Sequence, residues 1–131
     1  MWHLDTNIVV AYLNGNQTVS ERLQIHLPDV SISSLVFGEL LYGVKASQRV
    51  QDNLKRLKEF AQIVKIVDFD RKSAEAYSQI RLALRQKGRP TGEVDILIAA
   101  IAIANNAILV TGNTKHFQHI DDLKSANWIV I

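Results

Sequence analysis

Apolar and polar positions follow two different periods along this chain. Short runs rich in β-branched and aromatic residues at 2–4, 30–33, 63–67, 107–110 and 128–131 predict five strands. Between them apolar positions recur every three to four residues. Val50, Leu54, Leu57 and Ala61 form one such series, and Ala74, Tyr77, Ile80 and Leu84 form another, the spacing that keeps one helical face apolar. Asp70 is placed to cap the second helix, and Gly88-Arg89-Pro90 to stop it. Strands that alternate with helices imply right-handed crossovers, so the expected class is α/β, with a mostly parallel five-stranded sheet covered by helices on both faces. Pro28 and Pro90 mark single turns, and no repeat, low-complexity tract or linker interrupts the pattern. Residues 1–131 are therefore read as one domain.

Two segments are apolar beyond any simple stripe. At about 100° per residue, the apolar side chains of residues 34–44 fill every side of a helix. Its one carboxylate, Glu39, falls between Leu35, Tyr42 and Gly43 in projection. Such a helix is expected to be largely buried. An unpaired buried charge costs several kcal/mol, so Glu39 is expected to be paired, protonated or bound to a metal. In residues 94–104 Asp95 is the only polar side chain. With Thr91 as N-cap, Asp95 falls in the first turn, where the helix dipole favours an anion. The uninterrupted apolar run at 96–104 is nine residues, far short of the roughly 18 to 20 that cross a bilayer, so it reads as a buried segment.

Composition narrows the chemistry. The chain contains no cysteine, which excludes disulfide scaffolds, thiolate zinc sites, iron–sulfur clusters and cysteine nucleophiles. Any catalysis must use oxygen, nitrogen or a hard metal ion. The net charge of +2 permits nucleic-acid binding without establishing it. The start, Met1-Trp2-His3-Leu4-Asp5, has neither a basic stretch nor a long apolar one, so no signal peptide is expected and the cytoplasm is the expected location.

Open α/β sheets gather ligands at the carboxyl ends of their strands. Asp5 directly follows the first strand, where it reads either as a helix N-cap or as part of a site. The polar loop Thr111-Gly112-Asn113-Thr114-Lys115-His116-Phe117 follows the strand at 107–110, and Asn113 there is either a turn former or a ligand. His116 and His119 have the spacing of a metal pair but lack a third partner, so zinc is not expected. Asp5, Asp95 and the Asn113 loop are predicted at one edge of the sheet, with Glu39 near a neighbouring helix start. Clustered carboxylates repel one another unless a cation neutralises them. Oxygen-only donors select Mg²⁺ or Mn²⁺.

At these residues the sequence resembles the PIN-domain ribonucleases, specifically the VapC-type toxins of toxin–antitoxin pairs. The resemblance spans the chain and rests on Leu4-Asp5-Thr6-Asn7, Ser34-x4-Glu39-Leu40-x2-Gly43, Gly88-x6-Asp95-x2-Ile98-Ala99-Ala100 and Thr111-x-Asn113-x3-Phe117. It implies a three-layer sandwich in which Asp5, Glu39 and Asp95 hold a divalent metal and Asn113 takes a fourth position. Thr6 and Thr111 would be polar supports. Many relatives carry an acid in the last loop where this chain has Asn113 and His116, which bears on a second metal. The resemblance further implies a homodimer, inhibition by a cognate antitoxin, and cleavage of structured RNA, with tRNA among the candidates. No membrane is expected as a partner.

The substrate surface is expected at Arg81, Arg85, Lys87 and Arg89, four basic residues within nine positions, against the alternative of a solvated helix face. Two other classes share the fold pattern. A receiver-like Mg²⁺-binding signalling domain would carry adjacent acids after the first strand, whereas here Thr6 follows Asp5. A non-catalytic binding module of the same class is separable only by an activity assay.

Overall fold

The structure is a computed structural model that describes residues 1–129. In chain order the elements are β1 (Trp2–Leu4), α1 (Thr6–Leu13), α2 (Gln17–His26), a 3₁₀ turn (Leu27–Asp29), β2 (Val30–Ser33), α3 (Ser34–Lys45), α4 (Val50–Ile63), β3 (Lys65–Val67), α5 (Arg71–Lys87), α6 (Glu93–Ala104), β4 (Ile108–Val110), a second 3₁₀ turn (Thr114–Phe117) and β5 (Ser125–Ala126). The sheet order is β3-β2-β1-β4-β5, and all four strand pairs are parallel. The chain steps outward from β1 to β2 and β3 through α1 to α4. It then crosses back through α5 and α6 to β4, on the other side of β1. With right-handed crossovers, that reversal puts the two helix groups on opposite faces and opens a crevice between β1 and β4. The α/β class read from the spacing is the class observed.

Capping chemistry explains several element starts. The side chain of Asp5 accepts from the Thr6 amide, Asn16 from Val19, Ser33 from Val36 and Asp70 from Ser73. Gly88 ends α5 at φ +63°, a left-handed geometry that glycine adopts without a side-chain penalty. Leu4, Ile8, Ile32, Leu57, Ile98, Ile101 and Leu109 are fully buried, so the core lies between the sheet and both helix groups.

Three local expectations are corrected. The fifth strand is Ser125–Ala126 rather than 128–131, where the Leu109 amide bonds to the Lys124 carbonyl and the Thr111 amide to the Ala126 carbonyl. Trp128 instead packs its ring at 5.6 Å from that of Trp2, and residues 130–131 lie outside the described residues. Ile63 closes α4 instead of opening a strand. Gly92, not Thr91, is the N-cap of α6, without a side-chain bond; glycine there costs only a few tenths of a kcal/mol against Ser or Thr.

Candidate active site

Asp5 stands where β1 turns into α1, and the residue is 6 % exposed. Three donors reach it: the Thr6 amide at 2.8 Å on Oδ1, and the Thr111 hydroxyl at 2.9 Å and the Asn7 amide nitrogen at 3.3 Å on Oδ2. Thr111 directly follows β4, the strand beside β1, so two neighbouring strand ends hold one carboxylate. The N-cap reading and the site reading of Asp5 thus describe the same geometry.

Glu39 departs from its expectation. It is exposed, because α3 buries a single stripe of Val36, Leu40 and Val44 while Tyr42 on the same helix is 76 % exposed. The apolar composition of α3 outruns what this chain alone covers. The Thr6 hydroxyl donates to Glu39 Oε1 at 2.8 Å, which links the glutamate to the turn that carries Asp5.

Asp95 lies in the first turn of α6, half-buried. Its carboxyl is held above the usual range, first by burial and then by the charge of Asp5, and the nearby His116 imidazole partly offsets this. His116 Nδ1 is 3.7 Å from Asp95 Oδ2. Asn113 is exposed, and its backbone amide donates to the Thr111 hydroxyl at 3.0 Å. Among the described residues, no three acidic or imidazole side chains stand together closely enough to hold a metal ion, so Asp5, Glu39 and Asp95 are not drawn into one three-carboxylate cluster. The Asp5–Asp95 pair nevertheless fits a hard divalent ion. Both donors are oxygens, they repel each other, and Mg²⁺ commonly takes only one or two carboxylates while keeping several waters.

Residues 3–123 match the PIN domain family. The chain is 39 % identical to ribonuclease VapC2 of Rickettsia felis over 98 % of both proteins. It is 35 % identical to the tRNA(fMet)-specific endonuclease VapC of Shigella flexneri, over 95 % of this chain and 96 % of that one. This chain belongs to the PIN-domain family, in its VapC branch. The same branch is reached through shape: VapBC2 from Rickettsia felis, solved bound to a DNA fragment from its promoter, superposes with a TM-score of 0.90 at 38 % identity over 97 % of this chain and 98 % of that one.

In this PIN domain the basic run divides. Arg81, Arg85 and Arg89 line one open groove with Thr91 and Glu93, two residues before Asp95. Arg81 donates to the Tyr77 hydroxyl at 2.7 Å and lies 3.7 Å from Glu93, to which Tyr77 also donates. Lys87 is elsewhere: its ammonium pairs with Asp121 at 2.7 Å and donates to the His119 carbonyl at 2.9 Å. Six residues along a helix is about 240° of rotation from Arg81, so the run could not present all four charges on one face.

Sequence reasoning missed Asn7 and the Tyr77–Glu93 contact. Asn7 closes the Leu4-Asp5-Thr6-Asn7 motif without an assigned role, and only the register of β1 against β4, with Leu4 opposite Val110, reveals what it meets. In the helical spacing Tyr77 reads only as an apolar position. No signal in one sequence pairs it with an acid sixteen residues later.

Proposed function

We propose that this chain is a metal-dependent endoribonuclease, the toxin of a toxin–antitoxin pair, and that Asp5 and Asp95 hold a Mg²⁺ or Mn²⁺ ion while Glu39 and Asn113 complete the site. The observation that carries the reading is the pair of mutually repelling carboxylates at the crevice between β1 and β4, in a chain of the PIN-domain family. When bound, the ion lowers the pKa of a coordinated water and offsets charge on the in-line transition state. The protein's own contribution is positional. Asp5 is fixed by three donors and cannot rotate away. Glu39, exposed and bonded on one oxygen by Thr6, has its other oxygen available to accept a proton from the attacking water. Thr6 and Thr111 are the polar supports of these two acids.

The substrate is RNA, and tRNA is the class to test first, since a 35 % identical relative is a tRNA(fMet)-specific endonuclease. The groove of Arg81, Arg85 and Arg89 supplies phosphate contacts next to the acids. The partner is a cognate antitoxin, in keeping with the VapBC complexes of similar proteins. A groove between α1, α3 and α4, with Val10, Leu13, Leu40 and Val44 on its walls and Thr6 and Glu39 at its edge, suits an apolar antitoxin segment that ends at the acids. The uncovered apolar side chains of α3 and the family resemblance support a homodimer, which light scattering tests against the 14.7 kDa monomer.

A receiver-like reading loses ground on one contact: the position after Asp5 is a threonine bonded to Glu39, not a second acid. The deciding experiment incubates purified chain with total tRNA plus Mg²⁺, Mn²⁺ or EDTA. Cleavage in the metal arms that EDTA abolishes is expected. Full cleavage by an Asp95→Asn variant would overturn the site.

A further inference from the structure

Asn7, to which the motifs assign no role, makes three side-chain hydrogen bonds at the site, as many as Asp5 or Thr111. Its amide nitrogen donates to Asp5 Oδ2 at 3.3 Å and approaches the Thr111 hydroxyl at 3.4 Å, and its carbonyl oxygen accepts from the Gly112 amide at 2.7 Å. One planar side chain thus spans the first turn of α1 and the loop after β4. Because the amide plane is rigid, the bond to Gly112 fixes where the nitrogen aims, and the nitrogen aims at the carboxylate oxygen that also receives Thr111.

Gly112 provides an independent mark of the same joint. A Cβ built there would lie 3.3 Å from Asn7 Oδ1 and 3.2 Å from Ile129 Cδ1, closer than side chains comfortably approach. Gly112 has no positive φ, so conformational freedom does not account for glycine here; the proximity of Asn7 and Ile129 together does. The loop therefore packs tightly against the Asn7 side chain as well as bonding to it.

We propose that Asn7 is a positioning residue for the metal-holding carboxylate: it sets the orientation of Asp5 and ties it to the loop that carries Asn113. The inference rests on Asp5 being a metal ligand, as proposed above. Side chains that orient ligands in this way typically change metal affinity or activity about 10- to 100-fold when removed.

The test uses the purified full chain with Mn²⁺ as probe, its binding read by titration calorimetry and RNA cleavage read as separate kcat and KM. Asn7→Ala is expected to weaken Mn²⁺ binding and lower kcat about 10- to 100-fold, with KM for RNA nearly unchanged. Gly112→Ala, which crowds the Asn7 carbonyl oxygen as well as Ile129, is expected to reproduce the same split. The double variant should be no worse than Asn7→Ala alone, because both act through one contact. Should Asn7→Ala lose its circular-dichroism signature of folding, Gly112→Ala carries the test. A variant of lowered melting temperature whose Mn²⁺ affinity and kcat match wild type would make Asn7 purely structural and overturn the proposal. If wild-type chain binds no Mn²⁺, or Asp5→Asn binds it equally well, the underlying site assignment falls, and this inference with it.

Discussion

His3 and Asp5 stand two positions apart at the central strand, both almost removed from water, yet each meets that environment differently. His3 is fully buried, with Nδ1 bonded to the Ser31 hydroxyl at 2.8 Å, toward β2, and Nε2 without a hydrogen-bond partner among the described residues. Burial alone pushes its pKa down to about 4, so it remains neutral. Asp5 sits between α1 and the end of β4, where three donors replace its water, two from the first turn of α1 and one from Thr111. The difference shows how one sheet accommodates polar groups: away from the crevice by suppressing charge, and at the crevice by surrounding charge with donors and a second acid.

The largest effects should come from erasing the charged side of this contrast. Asp5→Asn, Glu39→Gln and Asp95→Asn nearly preserve size and should each reduce RNA cleavage by about 10²- to 10⁴-fold while circular dichroism stays native. Single-turnover assays with gel-resolved products provide the measurement.

Acid should expose the neutral side. As pH falls below 6.5 the unfolded chain protonates His3, whereas the folded chain does so only near 4. Stability from this residue is therefore complete above about 6.5 and is lost as pH drops through that window. The loss amounts to at most about 3 kcal/mol. Urea midpoints at pH 7.5 and 4.5 should differ less in His3→Phe than in wild type; an equal difference in both would remove His3 from the acid response.

A smaller effect separates Asp95 from Asp5. The folded Asp95 carboxyl is raised, so its ionisation opposes folding, and above the carboxylate range the penalty is constant. Without metal, Asp95→Asn should leave the melting temperature unchanged or slightly higher. The stabilisation that Mg²⁺ gives wild type should vanish in the variant, which differential scanning fluorimetry with and without the ion would show.

The smallest effects sort the basic residues. Arg85→Gln with Arg89→Gln should raise KM for RNA and flatten its salt dependence, since fewer counterions are released. Lys87→Gln should leave both unchanged and cost under about 1 kcal/mol in stability, as exposed ion pairs do. Filter binding across a salt series distinguishes the two.

Much of this was legible in the sequence, for identifiable reasons. Strand and helix periods, the Asp70 cap and the Gly88 stop depend on neighbours within a few positions. Asp5 and Asp95 stood out because each interrupts or ends an apolar run. Legibility failed where tertiary geometry decided the outcome. Glu39 was expected to be buried because α3 is apolar on all sides, but the chain covers only the Val36, Leu40 and Val44 stripe. Trp128 looked like strand because aromatic residues favour sheets, yet its ring serves a cluster with Trp2 and His26. Lys87 was grouped with the arginines by linear proximity, which ignores helical rotation. Asn7 needed the pairing of β1 with β4, a contact between the two ends of the chain.

That pairing also fixes when during synthesis the site comes into being. Asp5 and Thr111 are separated by 106 positions, and β1 acquires its β4 neighbour only after every helix has been made. At roughly 5 to 20 residues per second, the first acid waits on the order of 5 to 20 s for the loop that orients it. For the later part of that interval the nascent chain already contains the segments of α1, α3 and α4, the walls of the groove, but not the loop that holds Asp5. The order of synthesis thus supplies the residues of the proposed antitoxin groove before the loop that completes the proposed acidic site.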